Sequence, residues 1–75
     1  MAKLPVLSGR EVIKVLRKAG FEPTRQRGSH IVMVKYVNGQ KIALVVPDHK
    51  EVDKGTLIEI IRQAKLTRED FIKLL

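Results

Sequence analysis

The 75-residue chain contains no cysteine and no tryptophan. Without cysteine there is no disulfide staple and no thiolate metal site. A domain this small buries only roughly 60% of its unfolded surface, so packing alone must hold it. Phe21, Tyr36 and Phe71 are its only aromatic residues. That is too few for a protein that binds single strands mainly by stacking bases on aromatic platforms. The longest apolar run, Ile42 to Val46, is far too short to cross a bilayer. The N-terminus lacks the apolar core and small-residue cleavage site of a secretion signal. No membrane association is expected, and the cytoplasm is the default location. The glycines form no nucleotide-binding loop motif.

Acidic residues are also scarce. Eight Asp and Glu face fifteen Lys and Arg, for a net charge of +7 and a pI near 10.2. A small basic domain meets a polyanion or an acidic protein. The excess lies in residues 1–36, where only Glu11 and Glu22 oppose the cations.

Ser8-Gly9-Arg10-Glu11 fits a capping box that opens a first helix. Val12, Ile13, Leu16 and Ala19 fall on one face of it, and Gly20 stands where a helix-ending glycine belongs. Pro23 suits an edge strand. His30 to Val37 is rich in β-branched residues and reads as a strand. Asn38-Gly39 is a strong hairpin signal, with Lys41 to Pro47 as the return strand. A polar loop, Asp48 to Gly55, leads to a second expected capping box, Thr56-Leu57-Ile58-Glu59. The stripe Leu57, Ile58, Ile60, Ile61 and Ala64 follows. Thr67-Arg68-Glu69-Asp70 looks like a third cap, opening a short helix that buries Phe71, Leu74 and Leu75. The order is helix, three-stranded meander, helix, short helix, in one domain over 1–75.

Turn positions set the strand register. A two-residue turn at Asn38-Gly39 pairs Tyr36 with Lys41, Val34 with Ala43, Val32 with Val45, and His30 with Pro47. A second at Gly28-Ser29 pairs Arg27 with His30 and Arg25 with Val32. Alternation then separates two faces. Ile31, Met33, Ile42, Leu44 and Val46 form an apolar face for the helices. Arg25, Arg27, His30, Val32, Val34, Tyr36, Lys41, Ala43 and Val45 form the other, basic at one end and apolar in the middle. Its strip of Val32, Val34, Tyr36, Ala43 and Val45 suits a protein partner, because monomers rarely leave such a patch bare. The alternative occupant is a second copy of the chain, in a homodimer.

His30, the Pro47-Asp48-His49 corner and the loop into the second helix are expected to converge at one end of the sheet. That loop carries Lys54-Gly55-Thr56 to a helix N-terminus, a favourable place for phosphate, with Arg27 beside it. Arg25, Arg27, Ser29 and Lys54 are the candidate RNA contacts. Two readings of His30 stand side by side: a solvated residue after a turn, or a proton-transfer group, since imidazole exchanges protons near neutrality. RNA carries its own nucleophile, the 2′-hydroxyl, so one well-placed base suffices without metal. His49 is a weaker candidate, either a secondary catalytic group or a structural hydrogen-bonding residue. His30, His49 and Asp48 lack the spacing of a known metal site, and neither metal nor cofactor is expected. Ser29 and His30 are strand neighbours and point to opposite faces, which argues against a serine nucleophile.

Five segments occur in order: Gly28-Ser29-His30 opening a strand, Val45-Val46-Pro47-Asp48-His49 closing the next, Lys54-Gly55-Thr56-Leu57 opening a helix, Ile60-Ile61-Arg62-Gln63-Ala64, and Leu66-Thr67-Arg68-Glu69-Asp70-Phe71. Together they resemble the HicA family of messenger-RNA interferase toxins, over nearly the whole chain. The resemblance implies an α+β fold similar to the double-stranded-RNA-binding domain. In that fold an antiparallel three-stranded sheet carries two helices on one face, here with a short C-terminal helix added. It implies translation-independent mRNA cleavage by an endoribonuclease, and a HicB-type antitoxin that covers the toxin. The histidine of the Gly-Ser-His motif, His30 here, is the family's catalytic residue, and the one after the proline, His49, is typical with a less defined role. The rival is a non-catalytic RNA-binding module of the same fold. Such modules grip phosphates with a lysine cluster at the start of the second helix, where this chain offers Lys54 and Lys50 beside Glu51 and Asp53.

Overall fold

Ser8 opens α1 (Gly9–Lys18) with the expected capping box. Its hydroxyl accepts from the Glu11 amide at 3.1 Å, and the Glu11 carboxylate accepts from the Ser8 amide at 2.9 Å. The structure is a computed structural model that describes residues 3–75. The apolar face of α1 is turned toward Val15, which is buried with Val12 and Leu16. Ile13 and Ala19 are only partly buried.

Three strands follow as an antiparallel meander in the order β1-β2-β3: β1 (Glu22–Arg27), β2 (His30–Val37) and β3 (Gln40–Pro47). Asn38 and Gly39 take φ of 51° and 79°, as the two central residues of a type I′ turn must. The β2–β3 register is the expected one from His30↔Pro47 to Tyr36↔Lys41. Arg27↔His30 and Arg25↔Val32 also pair as expected. The register then shifts between Arg25 and Pro23. Thr24 is the extra residue, and its hydroxyl donates to the Val32 carbonyl at 3.3 Å. Every residue of β1 is exposed, as befits an edge strand carrying a proline.

The second helix departs from the sequence reading. α2 (Lys54–Gln63) begins before Thr56, because Asp53 is the N-cap. The Asp53 carboxylate accepts from the Thr56 amide at 3.0 Å and from the Thr56 hydroxyl at 2.7 Å. Asp is at least as good a cap as Thr, and starting earlier turns Lys54, Gly55 and Thr56 into helical residues. The expected box at Thr56 does not form, and Ile58 is exposed on the solvent side of α2. α3 (Arg68–Lys73) has the expected box between Thr67 and Asp70. It buries Phe71 completely, leaves Leu74 partly buried, and leaves Leu75 exposed at the chain end.

The core forms between the sheet and the helices. Ile31, Met33, Leu44 and Val46 of the sheet meet Val12, Val15 and Leu16 of α1, Leu57, Ile60 and Ile61 of α2, and Phe71 of α3. Phe21, just ahead of β1, is fully buried among them. The result is an α+β fold of the double-stranded-RNA-binding type, with a short third helix.

Candidate functional site

His30 is the first residue of the central strand and is exposed. Ile31 next to it is buried, so alternation puts the imidazole on the face away from the helices. Its cross-strand partners are Arg27 on one side and Pro47 on the other. Arg25, two pairs further in, shares that face with Val32. Among the described residues neither Arg25 nor Arg27 makes an ion pair; the three pairs formed are Arg10–Asp48, Arg17–Glu22 and Arg62–Glu59. Two free guanidinium groups beside an exposed imidazole make a place where a phosphodiester can be held and a proton moved. Ser29 sits in the tight turn before His30, and the Gln26 side chain braces that turn by donating to the Gly28 carbonyl at 2.9 Å.

The backbone around His30 is fixed by the end of β3. The Asp48 amide donates to the Ser29 carbonyl at 2.6 Å. In an antiparallel ladder this bond flanks a non-hydrogen-bonded pair, here His30↔Pro47. The missing N–H of Pro47 therefore faces the open edge of β3 and takes nothing from the ladder. Beyond Asp48 the chain folds against the start of α1. The Gly9 amide donates to the His49 carbonyl at 2.8 Å, and the Val52 amide to the Leu7 carbonyl at 2.8 Å. Arg10 grips the Asp48 carboxylate with two bonds, Nε to Oδ1 at 3.1 Å and Nη2 to Oδ2 at 3.0 Å.

The helix N-terminus hydrogen-bonded to this corner is that of α1, a contact the sequence reading did not include. Lys54 lines a small depression of about 110 Å³ with Leu4, Pro5, Val6 and Glu51. Among the described residues it has no hydrogen bond or ion pair to His30 or Arg27. His49 is exposed, and its carbonyl, not its imidazole, makes the contact to α1. Among the described residues no three His, Cys, Asp or Glu side chains form a metal-ligand cluster. The role of Gly9 and the Arg10–Asp48 pair were not foreseen. Arg10 looks like one more solvated helix cation until the fold brings residue 48 to it.

The apolar part of the outer face is uneven. Tyr36 and Val45 are 69% and 44% exposed, Val32 is half-buried, and Val34 retains only 8%. Val34 sits mid-strand in the central strand, flanked on both sides, so its neighbours cover it. Val45 and Ala43 continue into a groove of about 380 Å³ between β3 and α2, floored by Leu44 and Ile60 and rimmed by Thr56, Glu59 and Gln63.

These features define a class: a small basic domain of the double-stranded-RNA-binding type with a histidine and free arginines on its open sheet face. The model of the HicA toxin family of bacterial toxin–antitoxin systems matches residues 9–66. The chain belongs to that family, and is a toxin whose counterpart is an antitoxin. Searches of curated proteins and of solved structures returned no match to the chain. Among the described residues no helix is long and apolar enough to cross a membrane.

Proposed function

We propose that residues 1–75 act as one cytoplasmic endoribonuclease unit that cuts messenger RNA and is neutralised by a HicB-type antitoxin. The observation that carries this is the setting of His30: exposed, at the fixed end of the central strand, paired across to Arg27 and two pairs from Arg25. The guanidinium groups hold the phosphodiester on either side of the scissile bond. His30 takes the proton of the 2′-hydroxyl, whose oxygen attacks the adjacent phosphorus. The 5′-oxygen leaves as it takes a proton from solvent water, a 2′,3′-cyclic phosphate remains, and His30 then returns its proton to solvent. Nothing in these steps calls for a metal or a cofactor. His49 is a secondary catalytic or structural group near the same corner.

The antitoxin docks on the outer face over Val32, Tyr36 and Val45, with Val34 beneath them. The exposed area at Tyr36 and Val45 is worth about 25 cal/mol per Å² once covered, and the face adjoins His30, so one contact both binds and occludes. An acidic partner is drawn to a chain of charge +7, which speeds encounter.

The test is RNA cleavage by purified protein in the presence of a chelator. His30→Ala should abolish it with the circular dichroism spectrum intact, and His49→Ala should weaken it only partly. Wild-type cleavage by His30→Ala refutes the assignment. RNA binding without cleavage by the wild type would instead favour the non-catalytic module.

A further inference from the structure

We infer that Arg10 and Asp48 form a positioning pair for His30, so that the first turn of α1 sets the geometry of the site on the sheet. The inference rests on the reading of His30 as the catalytic base.

His30 needs such help. It stands next to a two-residue turn, at the end of a strand whose outer neighbour β1 is exposed along its whole length. Hairpin ends with few buried contacts open readily. The outermost cross-strand bond from β3 to this point is the one from the Asp48 amide to the Ser29 carbonyl, at 2.6 Å. Its strength depends on where the Asp48 backbone is held. Asp48 is already past the end of β3, so no further ladder holds it.

The Arg10 side chain does. Its fork meets both carboxylate oxygens, Nε at 3.1 Å and Nη2 at 3.0 Å. A planar bidentate pair fixes orientation as well as distance. Arg10 lies in the first turn of α1, which is anchored by Val12, Val15 and Leu16 in the core. The Gly9 amide adds a bond to the His49 carbonyl at 2.8 Å. Position therefore passes from the core through α1, Arg10 and Asp48 to Ser29, whose carbonyl precedes the His30 peptide. The pair also has an electrostatic role. Asp48 carries its charge one residue past the His30↔Pro47 pair, and Arg10 neutralises it.

Two substitutions separate these roles. Asp48→Ala keeps the backbone amide but releases the fork, and it frees Arg10 as a cation. The expected result is a kcat lower by about tenfold or more, since an ångström of misplacement costs up to roughly 100-fold, with KM unchanged or lower. Arg10→Ala leaves Asp48 uncompensated, so kcat falls and KM rises. A merely structural pair would shift the melting temperature and leave both constants alone well below it. The double exchange Arg10→Asp with Asp48→Arg should recover part of kcat. Amide hydrogen exchange at Ser29, His30 and Asp48 gives a readout independent of activity, and should quicken in both single variants. Unchanged exchange, or unchanged kcat in Asp48→Ala while His30→Ala is inactive, overturns the positioning role. If His30→Ala cuts as well as wild type, the reading of His30 fails, and the exchange data still decide whether the pair orders the turn.

Discussion

Replacing Gly9 with alanine ordinarily favours a helix, by about 0.5–1 kcal/mol. Here the sign should reverse. A Cβ on Gly9 would lie 2.1 Å from the Pro47 carbonyl oxygen and 3.0 Å from the Asp48 Cα, both backbone atoms that cannot rotate away. Real Cβ atoms essentially never approach closer than 3.0 Å. The first turn of α1 must therefore retreat by roughly an ångström, which is the scale of overpacking that costs about 1–3 kcal/mol. The retreat strains the Gly9 amide bond to the His49 carbonyl, 2.8 Å long, worth about 0.5–1.5 kcal/mol. Offsetting the propensity gain leaves a net loss of about 1–3 kcal/mol. A domain of this length has roughly 4–11 kcal/mol in all. At about 4–8 °C per kcal/mol, the melting temperature should fall by roughly 5–20 °C. Thermal unfolding followed by circular dichroism reads the shift. RNA cleavage below the transition should fall as well, because the same displacement pulls Arg10 off Asp48. A Gly9→Ala protein as stable as wild type, or more so, would refute the close packing of α1 on the corner.

Three further outcomes are expected. Arg25→Ala and Arg27→Ala should each weaken RNA binding and reduce the slope of log affinity against log salt by about 0.7, the value for one lost phosphate contact on a single strand; salt titrations measure it. Stability should be flat near neutral pH and fall in acid. The Ser8 amide holds the Glu11 carboxyl below its ordinary 4.5, and the Thr56 hydroxyl and amide hold that of Asp53 below its ordinary 3.8. A lowered folded value means stability that is complete above the ordinary value and lost as pH drops through the folded one; Asp53→Asn, which still caps, should flatten the acid limb of melting temperature against pH. Val45→Asp should keep the fold, since that side chain is 44% exposed, yet weaken antitoxin binding by about tenfold or more for the loss of about 1.4 kcal/mol of apolar burial; calorimetric titration decides.

Local chemistry was enough to place most of this molecule. Ser8 and Thr67 cap helices because their hydroxyls lie three residues from a carboxylate and a free amide. Asn38-Gly39 sets a two-residue turn, and that turn alone fixes the register that puts His30 opposite Pro47. These signals act over two to four residues, and each residue's type suffices to read them. The limit shows at Asp53 and Thr56, two adequate caps three residues apart. Asp53 prevails because its carboxylate accepts from both the amide and the hydroxyl of Thr56, which moves Lys54 into the helix. The choice of which helix start bonds to the corner after β3 is tertiary. It depends on Gly9 lacking a Cβ against Pro47, and on Arg10 reaching a carboxylate 38 positions away. Chain-distant contacts of this kind leave no periodicity in the sequence. Residue types fixed the candidates His30, Arg25 and Arg27, while three-dimensional packing decided which backbone holds them in place.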